Sequence, residues 1–442
     1  MSVSSPRRDD AQRAVAAAIG HYQARNPRSL AQASAAATVM PGGNTRSVLY
    51  YDPFPLTIAR GEASRLWDLD GHEYIDFLGE FTAGIYGHSD PAIRSAIVSA
   101  LESGLVLSGH TLAEAELARL ICQRFPSIDL IRFTNSGTEA NLTAIAAAMA
   151  FTGRRKILVF DGAYHGGVLS FAHGPSPVNV PHDFAIATYN DIDHTRKLVE
   201  RHGDSLAAIL VEPMLGAGGC IPGDREFLNE LRRAASACGA LLIFDEVITS
   251  RLAPGGRQQA VEIRPDLTTL GKYLGGGLSF GAFGGRREIM EQFDPRRPGA
   301  LPHAGTFNNN ILSMSAGIAA LTHVLTETAV IALNARGDAL RARLNAACAV
   351  RAVPFQFSGI GSVMCAHPID GVLRTAADAA RGNQLFRDLF FFDMLDRGIY
   401  LARRGLLVLS LPISDTEVCV LERAVTDFLD ARVGLLCASI WS

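Results

Sequence analysis

The feature that most constrains this chain is an alternation that begins at Leu130. Short apolar runs at Leu130–Thr134, Lys156–Phe160, 207–211 and 240–244 are separated by turns and by stretches with helical spacing at 138–151, 194–202 and 224–238. Strands and helices taken in turn argue for an α/β fold, with a mainly parallel sheet covered by helices on both faces. Ligands of such sheets sit outside the carboxyl ends of the strands. The segment 138–151 has almost no charge beyond its first turn and is expected to be buried.

The remainder follows other rhythms. Residues 10–25 are alanine-rich with helical spacing, suited to a packing or dimer-contact helix, and a Gly/Pro/Asn turn follows at 40–44. Residues 56–59 and Arg65–Asp68 read as strands of a small meander, with Asp70-Gly71 as its hairpin signal. Residues 91–103 and 112–125 read as amphipathic helices, Pro91 standing in a first turn. Residues 275–285 are a glycine-rich stretch followed by a helix and then by loop-like residues 294–302, and 314–325 suggests a long apolar spine between two lobes. Beyond it, helices and strands mix without parallel-sheet rhythm, as in a smaller α+β lobe. The expected division is 1–75 (N-terminal segment and part of the small domain), 76–315 (large domain) and 316–442 (small domain).

Composition excludes several classes. Hydrophobic residues make up 48% and charged residues 19% of 442, so a large core is available and disorder is not expected. A net charge of -3 gives no broad basic face for nucleic acid. No apolar run approaches the roughly 18 residues of a membrane helix, and MSVSSPRRDD has no apolar core of a secretory leader. Cysteines at 122, 220, 238, 348, 365, 419 and 437 form no CxxC pair, as expected for reduced thiols in the cytoplasm.

Three local signals carry chemistry. Ser136-Gly137-Thr138 follows a strand and opens a helix, so backbone N–H groups and hydroxyls meet at the positive end of the helix dipole, where a phosphate binds well. Alone, it reads equally as a capped helix start. Asp245 ends the strand at 240–244, where an acid can keep a heteroaromatic nitrogen protonated or simply cap the next turn. Lys272 lies among small and apolar residues (TLGKYLGGG), in a chain with only three lysines, at 156, 197 and 272. Lys156 follows two arginines and Lys197 lies on a charged helix face. Only Lys272 has surroundings that depress an ammonium pKa and make a nucleophile and base; the alternative is a lysine snorkelling from a loop. Phosphate cradle, strand-end acid and desolvated lysine together suit one ligand, pyridoxal 5'-phosphate (PLP), held as a Schiff base by Lys272. Tyr164 and His165 follow the next strand, where an aromatic can stack on the pyridine face; the alternative is a core tyrosine. Ile248 is placed to cover the other face, and Thr306 to donate to the phosphate, reaching a neighbouring subunit's site.

At these residues the chain resembles the class III aminotransferases of fold type I, in the branch of glutamate-1-semialdehyde aminomutase. The motifs MPGGN, LWDLDGHEYIDF, YGHSDP, RFTNSGTEAN, YHGG, VEP, FDEV, TLGKYLGGG, FGAFGGR and GTF carry the resemblance from about Met40 to Leu411. It implies a homodimer with sites at the interface. It assigns the Schiff base to Lys272, the pyridinium partner to Asp245, stacking to Tyr164, the phosphate to Ser136, Gly137, Thr138 and the partner chain's Thr306, and a supporting acid to Glu212. Asn44–Val48 and GTFNNN depart from the aminomutase pattern and look like the β-amino acid aminotransferases, which act on β-phenylalanine and related 3-amino acids. There an arginine matching Arg46 binds the β-amino acid's carboxylate. One matching Arg404, in the Arg403-Arg404 doublet, binds the keto acid's α-carboxylate; bidentate recognition gives both their physical warrant. Phe81 and Tyr86 are candidate pocket walls. The reading is a cytoplasmic, dimeric PLP-dependent aminotransferase moving an amino group from a 3-amino acid to 2-oxoglutarate or pyruvate. Alternatives are an aminomutase, a transaminase of other ω-amino donors, and a non-enzymatic regulator built on a cofactor-binding fold. No metal, nucleic acid or membrane is expected.

Overall fold

The computed structural model describes residues 6–172 and 174–436. Cys437, named above among the thiols, lies outside them. A seven-stranded sheet dominates, in the order Leu130–Thr134, Gly281–Gly285, Leu267–Gly271, Leu241–Asp245, Leu206–Val211, Lys156–Phe160, Asp183–Ala187. All its neighbours pair in parallel except Gly281–Gly285, which runs antiparallel to both strands beside it. The expected α/β architecture is therefore present, with three strands that the apolar runs did not reveal.

The glycine-rich stretch, to which the sequence pattern assigned no element, contains a fully buried strand at 281–285. A Cβ on Gly281 would lie 2.1 Å from Ser136 O, and one on Gly285 2.2 Å from Asp266 O. Glycine is required here for close approach of backbones, which hides the usual strand signal. Leu267–Gly271 was hidden by its Thr268-Thr269 pair, both fully buried; Thr268 Oγ1 bonds Ser127 Oγ (3.0 Å). Helix Gly137–Thr152 lies on this sheet through Ala140, Ala144, Ala147 and Ala148, all fully buried. Small side chains let it approach closely.

The expected apolar helix at 314–325 is present: helix Ile311–Ala319 continues through a widened turn at 320–324, and only beyond it does the chain bend by 77° into helix Glu327–Val350. Thr326 starts the second helix by accepting from Ala329 N (3.2 Å). No single described helix is long and apolar enough to cross a membrane.

Both chain ends share one sheet: Ile58–Glu62, Arg65–Asp68 and Glu73–Asp76 form the meander, and Ile399–Tyr400 adds to it in parallel. The first strand is displaced from the expected 56–59. Helix Pro6–Arg25 packs within the chain, its Tyr22 ring 5.1 Å from Phe54 and 5.3 Å from Phe392. A second small sheet, Gln356–Ile360, Val363–His367 and Leu406–Val408, lies beside helix Glu327–Val350, which also packs on helix Asp415–Leu436.

Candidate active site

The strand Leu241–Asp245 delivers a nearly fully buried carboxylate to the carboxyl edge of the large sheet. Asp245 Oδ2 accepts from Asn141 Nδ2 (2.9 Å) and meets His165 Nδ1 at 2.8 Å, while Oδ1 accepts from Val247 N (3.0 Å). Asn141 also accepts from Thr269 Oγ1 (2.7 Å) and donates to His165 O (3.0 Å). Three elements thus orient one carboxylate. Asn141 was missed in the sequence; the available signal was a polar residue inside an otherwise apolar helix.

Lys272 follows the adjacent strand Leu267–Gly271, in the left-handed region (φ 55°). Its Nζ donates to Phe81 O at 2.7 Å. Burial depresses its pKa from 10.5 to about 8, and the Arg404 cation pushes the same way, against the pull of Asp245 and Glu212. Lys156, by contrast, pairs with Asp183 at the edge of the sheet.

Ser136 caps helix Gly137–Thr152, its Oγ accepting from Glu139 N (3.2 Å), so the capping reading of this turn is realised. The same turn opens into the cavity that holds Lys272. Thr138 Oγ1 accepts from Gly167 N (3.3 Å), and a Cβ on Gly166 would lie 2.2 Å from that oxygen. Glu212 is buried and accepts from Tyr164 N and Gly216 N (2.9 Å each). Burial raises its carboxyl pKa to about 7; Asp245 adds to the rise and His165 opposes it.

These groups line one cavity of about 530 Å³: Ser136, Gly137, Thr138, Tyr164, His165, Glu212, Asp245, Ile248 and Lys272, with Arg46 and Glu80. Arg404 does not line it but sits over the Phe81 ring (Cζ 5.2 Å from the centroid), as Arg46 does from 5.6 Å. Arg403 is committed to Asp388 (2.7 Å). Of the doublet, Arg404 is the one beside Lys272. Phe81 is buried and acts through its carbonyl and ring rather than as a cavity wall. Tyr86 is buried edge-on against Tyr273 and is no pocket wall. Thr306 lies apart, in a separate cavity with Leu107, Thr111 and Phe307.

The family model of class-III aminotransferases matches residues 49–405. The chain belongs to this family. A beta-phenylalanine transaminase from Variovorax paradoxus is 56% identical over 423 residues, covering 96% of this chain and 97% of that protein. The solved structure of a beta-phenylalanine aminotransferase from the same organism superposes with a TM-score of 0.95 at 55% identity, covering 96% of this chain and 99% of the other. A glutamate-1-semialdehyde 2,1-aminomutase from Desulforamulus reducens is 38% identical, with 82% and 88% covered. The fold is that of the PLP-dependent transferases of fold type I, and the protein is a transaminase.

Class III aminotransferases use PLP, and the cavity suits it. The helix N-terminus at Gly137–Thr138 favours an anion. The glycine at 166 leaves room beside Thr138 that a Cβ would take. His165 Nε2 is a buried nitrogen without a protein partner, and Asp245 is the acid suited to a ring nitrogen.

Proposed function

We propose that this aminotransferase moves the amino group of a β-amino acid, aromatic or aliphatic, to a 2-keto acid such as 2-oxoglutarate or pyruvate. The observation that carries the reading is the convergence of two guanidiniums, Arg46 and Arg404, on the ring of Phe81, whose carbonyl holds Lys272 Nζ. Two carboxylate-binding groups stand beside one amine. The likeness to a beta-phenylalanine transaminase supports it.

When bound, PLP supplies an aldehyde and an electron-withdrawing ring. Lys272 Nζ is the covalent anchor. Its depressed pKa leaves about a tenth of the amine free at pH 7, roughly 300 times the fraction of an ordinary lysine. The same atom takes the proton from the amine-bearing carbon of the donor and returns it. Asp245, fixed by His165 and Asn141, would keep a proton on the ring nitrogen. Tyr164 and Ile248 would hold the ring, and Ser136, Gly137 and Thr138 the phosphate. Glu212 fixes the backbone at Tyr164 and Gly216. Arg46 binds the donor's carboxylate and Arg404 the acceptor's α-carboxylate.

We further propose a homodimer. Val106 (81% exposed), Leu112 (92%) and Phe307 (61%) leave an apolar surface around the cavity that holds Thr306. A second copy covers it and takes Thr306 to its own phosphate. Phe307→Asp with Val106→Asp should yield monomers in sedimentation and lose most of the activity together. Fully active monomers would refute the interface. The scattered free thiols fit a cytoplasmic protein. We also divide the chain as above, the small domain being formed from both ends.

A panel of α-, β- and ω-amino donors against one acceptor tests the substrate class. β-Phenylalanine should be favoured, and Arg46→Ala should raise its KM at least tenfold while leaving PLP affinity unchanged. An unchanged KM removes Arg46 from the site. Product formed without any keto acid would establish an aminomutase instead.

A further inference from the structure

Four successive residues, Gly79, Glu80, Phe81 and Thr82, have positive φ (52°, 47°, 53° and 82°). For the three that are not glycine this is a sparsely populated region, kept only where the surroundings impose it. Here they do. Asp76 Oδ1 accepts from Leu78 N and Gly79 N (2.8 and 2.9 Å). Thr82 O accepts from Nη1 of the fully buried Arg251 (3.1 Å), whose other bonds reach Ser362 and Leu409. Phe81 O accepts from Lys272 Nζ. A turn pinned at three points aims the Glu80 side chain, and its carboxylate pairs with Arg46 at the cavity.

The chemistry described above gives Glu80 no task, yet it occupies the guanidinium assigned to substrate. An arginine fork takes one carboxylate in bidentate fashion. Both side chains are substantially exposed, 43% for Arg46 and 56% for Glu80, so the pair is weak and exchangeable. We propose that Glu80 is a specificity-determining internal competitor: it neutralises Arg46 in the free enzyme and yields it to the carboxylate of the amino donor. The proposal rests on the assignment of Arg46 above. It follows that Glu80 weakens binding of every ligand that presents a carboxylate to Arg46, and has no such effect on a plain amine.

The test uses holoenzyme and 3-phenylpropanoate, a carboxylate without an amine, titrated by calorimetry. Glu80→Gln should lower its Kd by about two- to fivefold, the range set by the strength of an exposed ion pair. Glu80→Ala, which cannot bond Arg46 at all, should lower it at least as much. In an Arg46→Ala background the same changes should have no effect. A Kd unchanged or raised in both Glu80 variants, or lowered equally without Arg46, overturns the competition. If Arg46→Ala alone leaves the wild-type Kd untouched, the carboxylate assignment of Arg46 has failed instead, and the competition falls with it. In steady state, the donor KM for β-phenylalanine should fall in Glu80→Gln while that for 1-phenylethylamine stays constant. An equal fall for both refutes the mechanism.

Discussion

Lys272 should destabilise the protein that carries it, and the size of the effect follows from its surroundings. Burial and the Arg404 cation lower its pKa from 10.5 to about 8. Each tenfold change in proton affinity is about 1.4 kcal/mol, so holding the charged lysine in the folded apoenzyme costs about 3 kcal/mol. Below pH 8 the lysine is protonated both folded and unfolded, and the whole cost is present. Between pH 8 and 10.5 the folded chain gives up the proton that the unfolded chain keeps, so stability rises with pH. Above 10.5 the cost is gone. Lys272→Met removes the charge but also the bond to Phe81 O, worth about 1 kcal/mol. The net gain at pH 7 is then about 2 kcal/mol. For 442 residues the unfolding entropy is about 0.9 kcal/mol/K, so the apo variant should melt about 2 °C higher at pH 7, with the gap closing by pH 10. Calorimetric melting of cofactor-free wild type and variant across pH 6–10 measures this directly. A variant that melts no higher at pH 7, or a gap that does not narrow between pH 8 and 10, refutes the desolvated-lysine argument.

Two further perturbations probe the supports of the site. Asn141→Leu takes one donor from Asp245 Oδ2 and leaves the buried Thr269 hydroxyl without its acceptor. An unsatisfied buried group costs about 1–3 kcal/mol, so for an unfolding entropy of about 0.9 kcal/mol/K the variant should melt about 1–3 °C lower, and PLP affinity, read by absorbance titration, should fall because Asp245 has lost an orienting donor; an unchanged Tm and affinity would refute both supports. Gly216→Ala puts a Cβ 2.3 Å from Ile248 Cδ1. The isoleucine end is free to rotate and should turn into the cavity, weakening PLP binding about tenfold while Tm changes by less than about 2 °C; an unchanged affinity would show that Ile248 does not touch the cofactor.

The parts of the site that were legible in the sequence are those made by local chemistry. The turn Ser136–Thr138, the acid at the end of Leu241–Asp245 and Lys272 each announce themselves within a few residues, because strand, turn and helix start are short-range events. The apolar strands were legible for the same reason. Gly281–Gly285 was not, since its pattern is set by backbones pressing from neighbouring strands rather than by side chains of its own. The bend at 325–326 falls where the apolar run of the preceding helix stops and Thr326 starts the next one.

Arg46 and Arg404 show where local reading ends. Neither has neighbours in sequence that distinguish it from a surface arginine, and the doublet at 403–404 was unresolvable by pattern. What separates Arg403 from Arg404 is an ion pair with Asp388, 15 residues back, and a ring at position 81, in the other half of the chain. The same holds for Glu80. Its sequence neighbourhood, Gly79-Glu80-Phe81-Thr82, has a helix-compatible composition, and its left-handed backbone is imposed by Arg251, Asp76 and Lys272 from elsewhere. The turn that presents Glu80 to Arg46 also presents the Phe81 carbonyl to Lys272 and the Phe81 ring to both arginines. Any movement of this turn therefore changes the acceptor of the Lys272 amine and the setting of both guanidiniums at once; on the roles proposed above, anchor and substrate recognition are then coupled through Glu80 and Phe81 rather than assembled independently.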